Sequence, residues 1–249
     1  MKFCIVTPYY KEDRTLLERC INSVKAQTLP CDHILVADGF PVPWIDEAGL
    51  RHIKLDRAHG DYGNFARGVG ALDAGIERYD AVAFLDADNW FDADHMEQCW
   101  QTAAAAPGGA DLVFARRRFR RPDESVIPGL VKEEYPFRYH VDTNCYFFLP
   151  GAYHMLHRWT SMPPEMSIIG DYLFLHMCLN EKLRYVPVAK TTVNYQCMFE
   201  NVYEMLGEAP PPGCKPPVDA RVVQRWLDSL SPARFADVQR RTGLYLLNE

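Results

Sequence analysis

Asp86 and Asp88 stand two residues apart, directly behind the apolar run 81–85. Carboxylates in that position are costly to take out of water unless a cation or hydrogen-bond donors meet them. At this spacing they suit a hard, oxygen-seeking ion such as Mg²⁺ or Mn²⁺, with a phosphate-bearing ligand beside it. An Asp-rich turn held by its own hydrogen bonds has the same composition, and D-A-D alone leaves both readings open. Two further polar breaks follow apolar runs: Thr7-Pro8-Tyr9 after residues 3–6, and Asp38-Gly39 after residues 33–37. T-P-Y-Y-K-E follows the first run where a dinucleotide site would carry G-x-G-x-x-G, and there is no P-loop. The chemistry on offer is an aromatic ring and a carboxylate able to read a base, beside an acid pair suited to metal and diphosphate.

These residues are far apart in sequence, so a scaffold must gather them. Short apolar runs bounded by polar residues read as strands buried on both faces of a parallel sheet. Residues 3–6, 33–37, 81–85 and 111–115 fit, with a shorter strand at 53–55. Between them Leu16, Leu17, Cys20, Ile21 and Val24 recur at helical spacing. Phe65, Val69, Leu72 and Ile76 mark one face of the next helix, entered through the glycine-rich loop 59–63. Asp92 or Asp94 suits the cap of a third helix, which carries Met96, Cys99, Trp100 and Ala103. Strands and helices alternate to about residue 115, which predicts a right-handed parallel α/β sheet. Ligands of such sheets bind at the carboxyl ends of the strands, so the three polar breaks share one crevice.

Composition narrows the partners. A chain of 249 residues buries one large core, or one domain and an appendage. Its formal charge of −6 argues against a general nucleic-acid binder. No apolar stretch approaches the roughly 20 residues of a membrane span, and the N-terminus reads as a first strand, not a signal peptide. The 8 cysteines are scattered with no C-x-x-C pair, which predicts buried thiols in a reducing, cytoplasmic setting. The second half breaks the alternation. Residues 116–121 (RRRFRR) read as the solvated face of an edge strand, or as a site for phosphates or an anionic acceptor. His140, His154, His157 and His176 form no metal-like constellation, although one could complete a metal shell. Trp90, Trp159 and Tyr195 suit either a sugar pocket or the core. The Pro-rich stretch 210–217 reads as a stiff linker to C-terminal helices that pack back on the domain, the last entered through Ser231-Pro232.

The ordered set I-V-T-P-Y-Y, V-A-D-G, N-F-A-R-G-V-G-A-L and F-L-D-A-D-N-W resembles the GT-A-fold, family 2 glycosyltransferases over residues 3–105. A weaker continuation runs through Asp142-Thr143-Asn144-Cys145 to Ile169-Gly170-Asp171-Tyr172. The chain departs from the commonest pattern at Ala37, where a polar residue often precedes the aspartate, and at Asn89, where a further acid is common.

The resemblance implies an α/β GT-A fold with a mostly parallel central sheet flanked by helices. Residues 1–209 would form the domain, with a donor half to about 115 and an acceptor half at 116–209; residues 210–249 would add the linker and C-terminal helices. It implies transfer of a sugar from a nucleotide-diphosphate donor, best a UDP-sugar, to an acceptor hydroxyl with inversion. Thr7, Pro8 and Tyr9 would line the base, with Tyr9 stacking on it, and Asp38 would accept from a base N–H. Arg67 would contact base or diphosphate. Asp86 and Ala87 would hold the ribose side, and Asp88, supported by Asp86, would ligate Mn²⁺ or Mg²⁺. Asp171 would be the general base, although it could equally cap the helix after it. The acceptor is left as a glycan, a lipid-linked or a small-molecule alcohol, with peripheral membrane contact through the C-terminal helices open. Two alternatives stand beside this one: a sugar-phosphate nucleotidyltransferase, and a non-catalytic nucleotide-sugar-binding module on the same fold.

Overall fold

Every residue of β1 (Phe3–Tyr9) is buried, as a strand covered on both faces must be. The structure, a computed structural model, describes residues 1–130, 140–217 and 219–243; parts of the expected acceptor half and C-terminal tail lie outside them. Around β1 lie β2 (Cys31–Ala37), β3 (Arg51–Lys54), β4 (Ala81–Phe84), β5 (Trp90–Phe91), β6 (Leu112–Arg120), β7 (Tyr146–Phe148) and β8 (Tyr185–Gln196). Their order across the sheet is β3-β2-β1-β4-β7-β6-β8-β5. The first four in that order are parallel. β7 runs antiparallel between β4 and β6, β8 lies parallel to β6, and β5 is antiparallel to β8. Tyr9 pairs with Ala37, and Val6 with Phe84, so the chain leaves β1, β2 and β4 at the same edge.

Helices cover the sheet as the alternation requires. α1 (Arg14–Lys25) buries Leu17, Cys20, Ile21 and Val24, the stripe expected of it. α2 (Pro43–Glu47) is a short turn before β3. α3 (Asn64–Ile76) differs from expectation: Ile76 is 79% exposed, Leu72 is exposed, and the buried face is Ala66, Gly70, Ala71 and Ala74. The cause is close approach. A Cβ on Gly70 would stand 2.5 Å from Val6 Cγ1, and one on Gly68 would stand 2.5 Å from Thr160 Cγ2. Only small residues let this helix lie so close to the sheet and to Thr160, so Leu72 and Ile76 are left outside while Phe65 and Val69 stay half-buried.

α4 (His95–Ala104) starts after Asp94, but the Asp94 side chain pairs with Lys190 and makes no cap bond. α5 (Arg158–Ser161), α6 (Gly170–Asn180) and α7 (Glu200–Leu206) follow, then α8 (Arg221–Asp228) and α9 (Pro232–Thr242). Ser231 caps α9 through the Arg234 N–H, and α9 packs back on α5 and α6, as expected. Among the described residues no helix is long and apolar enough to cross a membrane.

Three other features differ from the sequence expectations or extend them. The strand expected at 111–115 runs on to Arg120; Leu112–Phe114 lie between β7 and β8, whereas Arg116–Arg120 pair, among the described strands, with β8 alone. Its arginines are engaged: Arg117 pairs with Asp142, Arg118 with Asp92, Arg121 with Glu208, and Arg120 Nε donates to Asn194 Oδ1 at 2.8 Å. The Pro-rich stretch is tied back as a strap. Lys215 N–H donates to Met198 O at 2.8 Å, Glu200 N–H donates to Lys215 O at 3.0 Å, and Cys214 packs beside Ile127, Cys197 and Tyr203. All eight cysteines are free thiols; Cys31 and Cys214 are partly buried and the rest are buried.

Candidate active site

At the shared strand edge lies a cleft of about 660 Å³. Pro8, Tyr9, Asp38, Arg67, Asp86, Ala87, Asp88 and Asp171 all line it. The fold thus brings together every candidate residue except Thr7, which is fully buried with its Oγ1 2.8 Å from His33 Nε2. Tyr9 forms part of the wall, but its ring is 2% exposed and stacks on His52 at 5.8 Å. Its hydroxyl accepts from Val42 N–H at 3.0 Å and lies 2.7 Å from His52 Nε2. The neighbouring Tyr10 is 42% exposed and also faces the cleft. Trp159, weighed as a sugar-pocket residue, is core: it stacks on Phe174 at 4.3 Å.

The carboxylates differ in how they are held. Asp38 is buried and accepts from His59 N–H at 3.0 Å, with His59 Nδ1 at 2.8 Å. Asp86 is saturated. Its Oδ1 accepts from Arg67 Nη2 at 2.7 Å and its Oδ2 from Asn144 Nδ2 at 2.9 Å, while its own N–H donates to Asn144 Oδ1 at 2.5 Å. Asp88 has neither bond: among the described residues no side chain hydrogen-bonds to its carboxylate. Burial, then the charge of Asp86, pushes the Asp88 carboxyl up to about 7, and Lys215 on the strap opposes them. A carboxylate so placed favours a cation beside it.

Asp171 lies in the first turn of α6, where a negative charge is favoured. Its Oδ2 is 2.7 Å from His140 Nε2, and its Oδ1 accepts from Tyr172 N–H at 2.7 Å. Burial raises its pKa, but His140, the Tyr172 N–H and Arg117 outweigh burial and hold it below the ordinary carboxylate range. It is therefore ionised at neutral pH.

The donor set fits a divalent ion in a particular way. Among the described residues no cluster of three or more histidines, cysteines or acids has metal-binding geometry. Asp88, and Asp86 only if it loosens its existing bonds, would hold the ion. Water and ligand phosphates would have to supply the remaining oxygens, the mode Mg²⁺ commonly adopts.

Comparison with known proteins places the chain. The family model for glycosyl transferase family 2 matches residues 4–158. This chain belongs to that family. A curated relative, the succinoglycan biosynthesis protein ExoW of Rhizobium meliloti (strain 1021), is 38% identical over 109 residues. That match covers 41% of this chain and 34% of ExoW, so the chain spans about a third of that relative's length. Residues 1–349 of S. aureus TarS, solved in complex with UDP, superpose with a TM-score of 0.60 at 16% identity, covering 97% of this chain and 71% of that one. The same fragment in complex with UDP-GlcNAc gives 0.56 at 14% identity, with 97% and 72% covered. At these identities the likeness shows the fold, which is GT-A.

Within this family 2 chain, several residues that shape the site carried no signal of their own in the sequence. Arg19 Nη2 on α1 donates to the Asp88 carbonyl and to Gln196 Oε1, both at 2.7 Å, and its guanidinium lies 3.9 Å from the Trp90 ring. Asn89, the departure from an acid, is buried and accepts from Gln196 N–H at 2.8 Å. It ties the D-A-D loop to the end of β8, a bond an ionised carboxylate would make only at the cost of a second buried charge. Asn144 lies between two acids. Its Nδ2 also donates to Asp142 Oδ1 at 2.7 Å, and Asp142 in turn pairs with Arg117. A continuous chain of contacts thus runs Arg67–Asp86–Asn144–Asp142–Arg117. The quoted D-T-N-C contained its two middle members, but nothing in their spacing announced the partners.

Proposed function

We propose that this chain transfers a sugar from a UDP-sugar to an acceptor hydroxyl with inversion, assisted by Mn²⁺ or Mg²⁺. The observation that carries the reading is one cleft holding Asp38 at one strand end, Asp88, whose carboxylate meets no side-chain donor among the described residues, beside the engaged Asp86 at another, and the ionised Asp171 on α6. Asp38 Oδ2 keeps capacity for the imide N–H of a uracil, and Tyr10 offers the open ring that Tyr9 lacks. The UDP and UDP-GlcNAc complexes of TarS, on the same fold, favour the same donor class. Asp171 takes the proton of the acceptor hydroxyl as that oxygen attacks the anomeric carbon. The bond from that carbon to the diphosphate breaks, and its electron pair stays on the diphosphate oxygen. A bound ion would act as Lewis acid on that leaving group, and Lys215 adds positive charge on the same side. Residues up to about 115 serve the donor and residues 116–209 the acceptor, a glycan, lipid-linked or small-molecule alcohol.

Thermal unfolding with a panel of nucleoside diphosphates, with and without Mn²⁺, tests this. A ligand bound only by the folded chain raises the midpoint by mass action. The expected outcome is a shift specific for UDP, dependent on Mn²⁺ and abolished in Asp88→Ala. No shift with any nucleotide would remove the donor assignment.

A further inference from the structure

One short loop, residues 140–144, touches both ends of the proposed reaction. Near its end Asn144 holds Asp86, donating to Oδ2 at 2.9 Å and accepting the Asp86 N–H at 2.5 Å. At its start His140 holds Asp171, with Nε2 2.7 Å from Oδ2. The loop between them is knotted. Val141 and Asp142 are buried, Asp142 Oδ1 accepts from Asn144 N–H at 3.0 Å and from its Nδ2 at 2.7 Å, and Asp142 pairs with Arg117. The acid on the donor side and the acid assigned to the base are therefore registered against one bracket. An in-line displacement depends on that register, since moving a reacting group by about 1 Å can cost on the order of a hundredfold in rate.

The contact has a direction. An ionised carboxylate only accepts, which puts the hydrogen on His140 Nε2. Asp171 Oδ1 accepts from Tyr172 N–H at 2.7 Å, so each oxygen holds one donor and keeps a further lone pair. Asp171 lines the cleft and His140 does not, so the ring acts through the carboxylate and not on a substrate. We infer that His140 is the positioning residue of the base, fixing the Asp171 carboxylate by Oδ2 so that its free lone pairs meet the acceptor hydroxyl. This rests on Asp171 being the base, as proposed above, and it gives His140 a task other than completing a metal shell. Arg117 of β6 also faces Asp171, with the Cys145 thiol and with the Tyr146 hydroxyl, which donates to the Asp171 carbonyl at 3.5 Å. Burial keeps the thiol and the hydroxyl neutral. All three groups stay in place when His140 is changed, so the share of His140 can be read alone.

Carbon-13 NMR of the side-chain carboxyls tests it, with the Asp171 signal identified by its loss in Asp171→Asn. His140→Ala raises the Asp171 titration midpoint by roughly 1–2 pH units, because burial is then less opposed. His140→Gln, whose amide can donate to Oδ2, restores part of that shift. The acid limb of UDP release to water from UDP-glucose, UDP-galactose or UDP-GlcNAc moves up with the midpoint. Calorimetric affinity for UDP with Mn²⁺ stays within about twofold of the wild type in both variants, as for a site without shared partners. A midpoint that does not move, or one that moves while the acid limb stays, overturns the inference and leaves the donor reading standing. A larger loss of UDP affinity in both variants also overturns it, making the bracket a brace for the donor site. UDP binding with no release from any of the three sugar nucleotides removes the base role and the inference with it, but not the nucleotide site. Failure of UDP itself to bind removes the donor reading, and the inference falls with it.

Discussion

At the scale of single residues, the site separates two acids that look alike in D-A-D. Asp86 spends both oxygens on Arg67 and Asn144, whereas Asp88 is left desolvated with its carboxyl at about 7, against an ordinary 3.8. Between those two values the unfolded chain has released a proton that the folded chain keeps, so stability falls as pH rises toward 7. Asp88→Asn removes that cost. Its ion-free melting temperature should exceed the wild type's by more at pH 8 than at pH 5, and a pH-independent difference would place the desolvation elsewhere. Proton and cation also compete for this carboxylate, so Mn²⁺ affinity should weaken about tenfold per unit of pH below 7, measurable by titration calorimetry with UDP present. Asp171 behaves oppositely. It is held low and stays charged through this range, so the pH dependence of ion binding should not follow it.

At the scale of elements, the strand ends were readable and the helix surface was not. Asp38 and Asp86 each end an apolar run, and parallel strands deliver such ends to one edge, so their meeting follows from pattern alone. The α3 face was misread because periodicity marks where large apolar residues recur, and this helix buries its smallest ones. Its distance from the sheet is set by Val6 and Val36, which no local pattern reveals. Gly70→Val should therefore lower the denaturant midpoint by the equivalent of about 1–3 kcal/mol. It should also weaken UDP binding, because Arg67 rides on the same helix. Exposed Ile76→Gln, by contrast, should leave both nearly unchanged. The start of β6 was hidden for a related reason: β7, far along the chain, inserts between β4 and Leu112–Phe114, and nothing near residue 112 signals its arrival, whereas the arginine-rich end of β6 pairs with β8 alone among the described strands. Tyr9 offered a ring by type, but its burial against His52 depends on β3, another contact invisible in the motif.

At the scale of the whole molecule, the chain of contacts from Arg67 to Arg117 joins α3 to β6 across the D-A-D loop. Arg117 and Asp142 are mostly buried, and breaking one member of such a pair typically costs about 3–5 kcal/mol by stranding the other. Arg117→Met should lower thermal stability and, by loosening Asp142 and hence Asn144, weaken UDP affinity as well. Arg117→Met with Asp142→Leu should recover much of the stability but not the affinity. Recovery of both would mean that the network braces the fold without steering Asp86.

The buried thiols give the molecule a clock of its own. Cys20 is held up to about 12, and burial likewise raises Cys4, Cys99, Cys145 and Cys178, which lie with Cys20 in one core cluster spanning both halves of the chain. A thiol reacts as its thiolate, so while the chain is folded these sulfurs are silent toward an alkylating reagent. Each becomes reactive only when its part of the core opens. Labels that appear together in one molecule would mark a single cooperative opening, and labels on Cys178 before Cys20 would time the release of the second half ahead of the first.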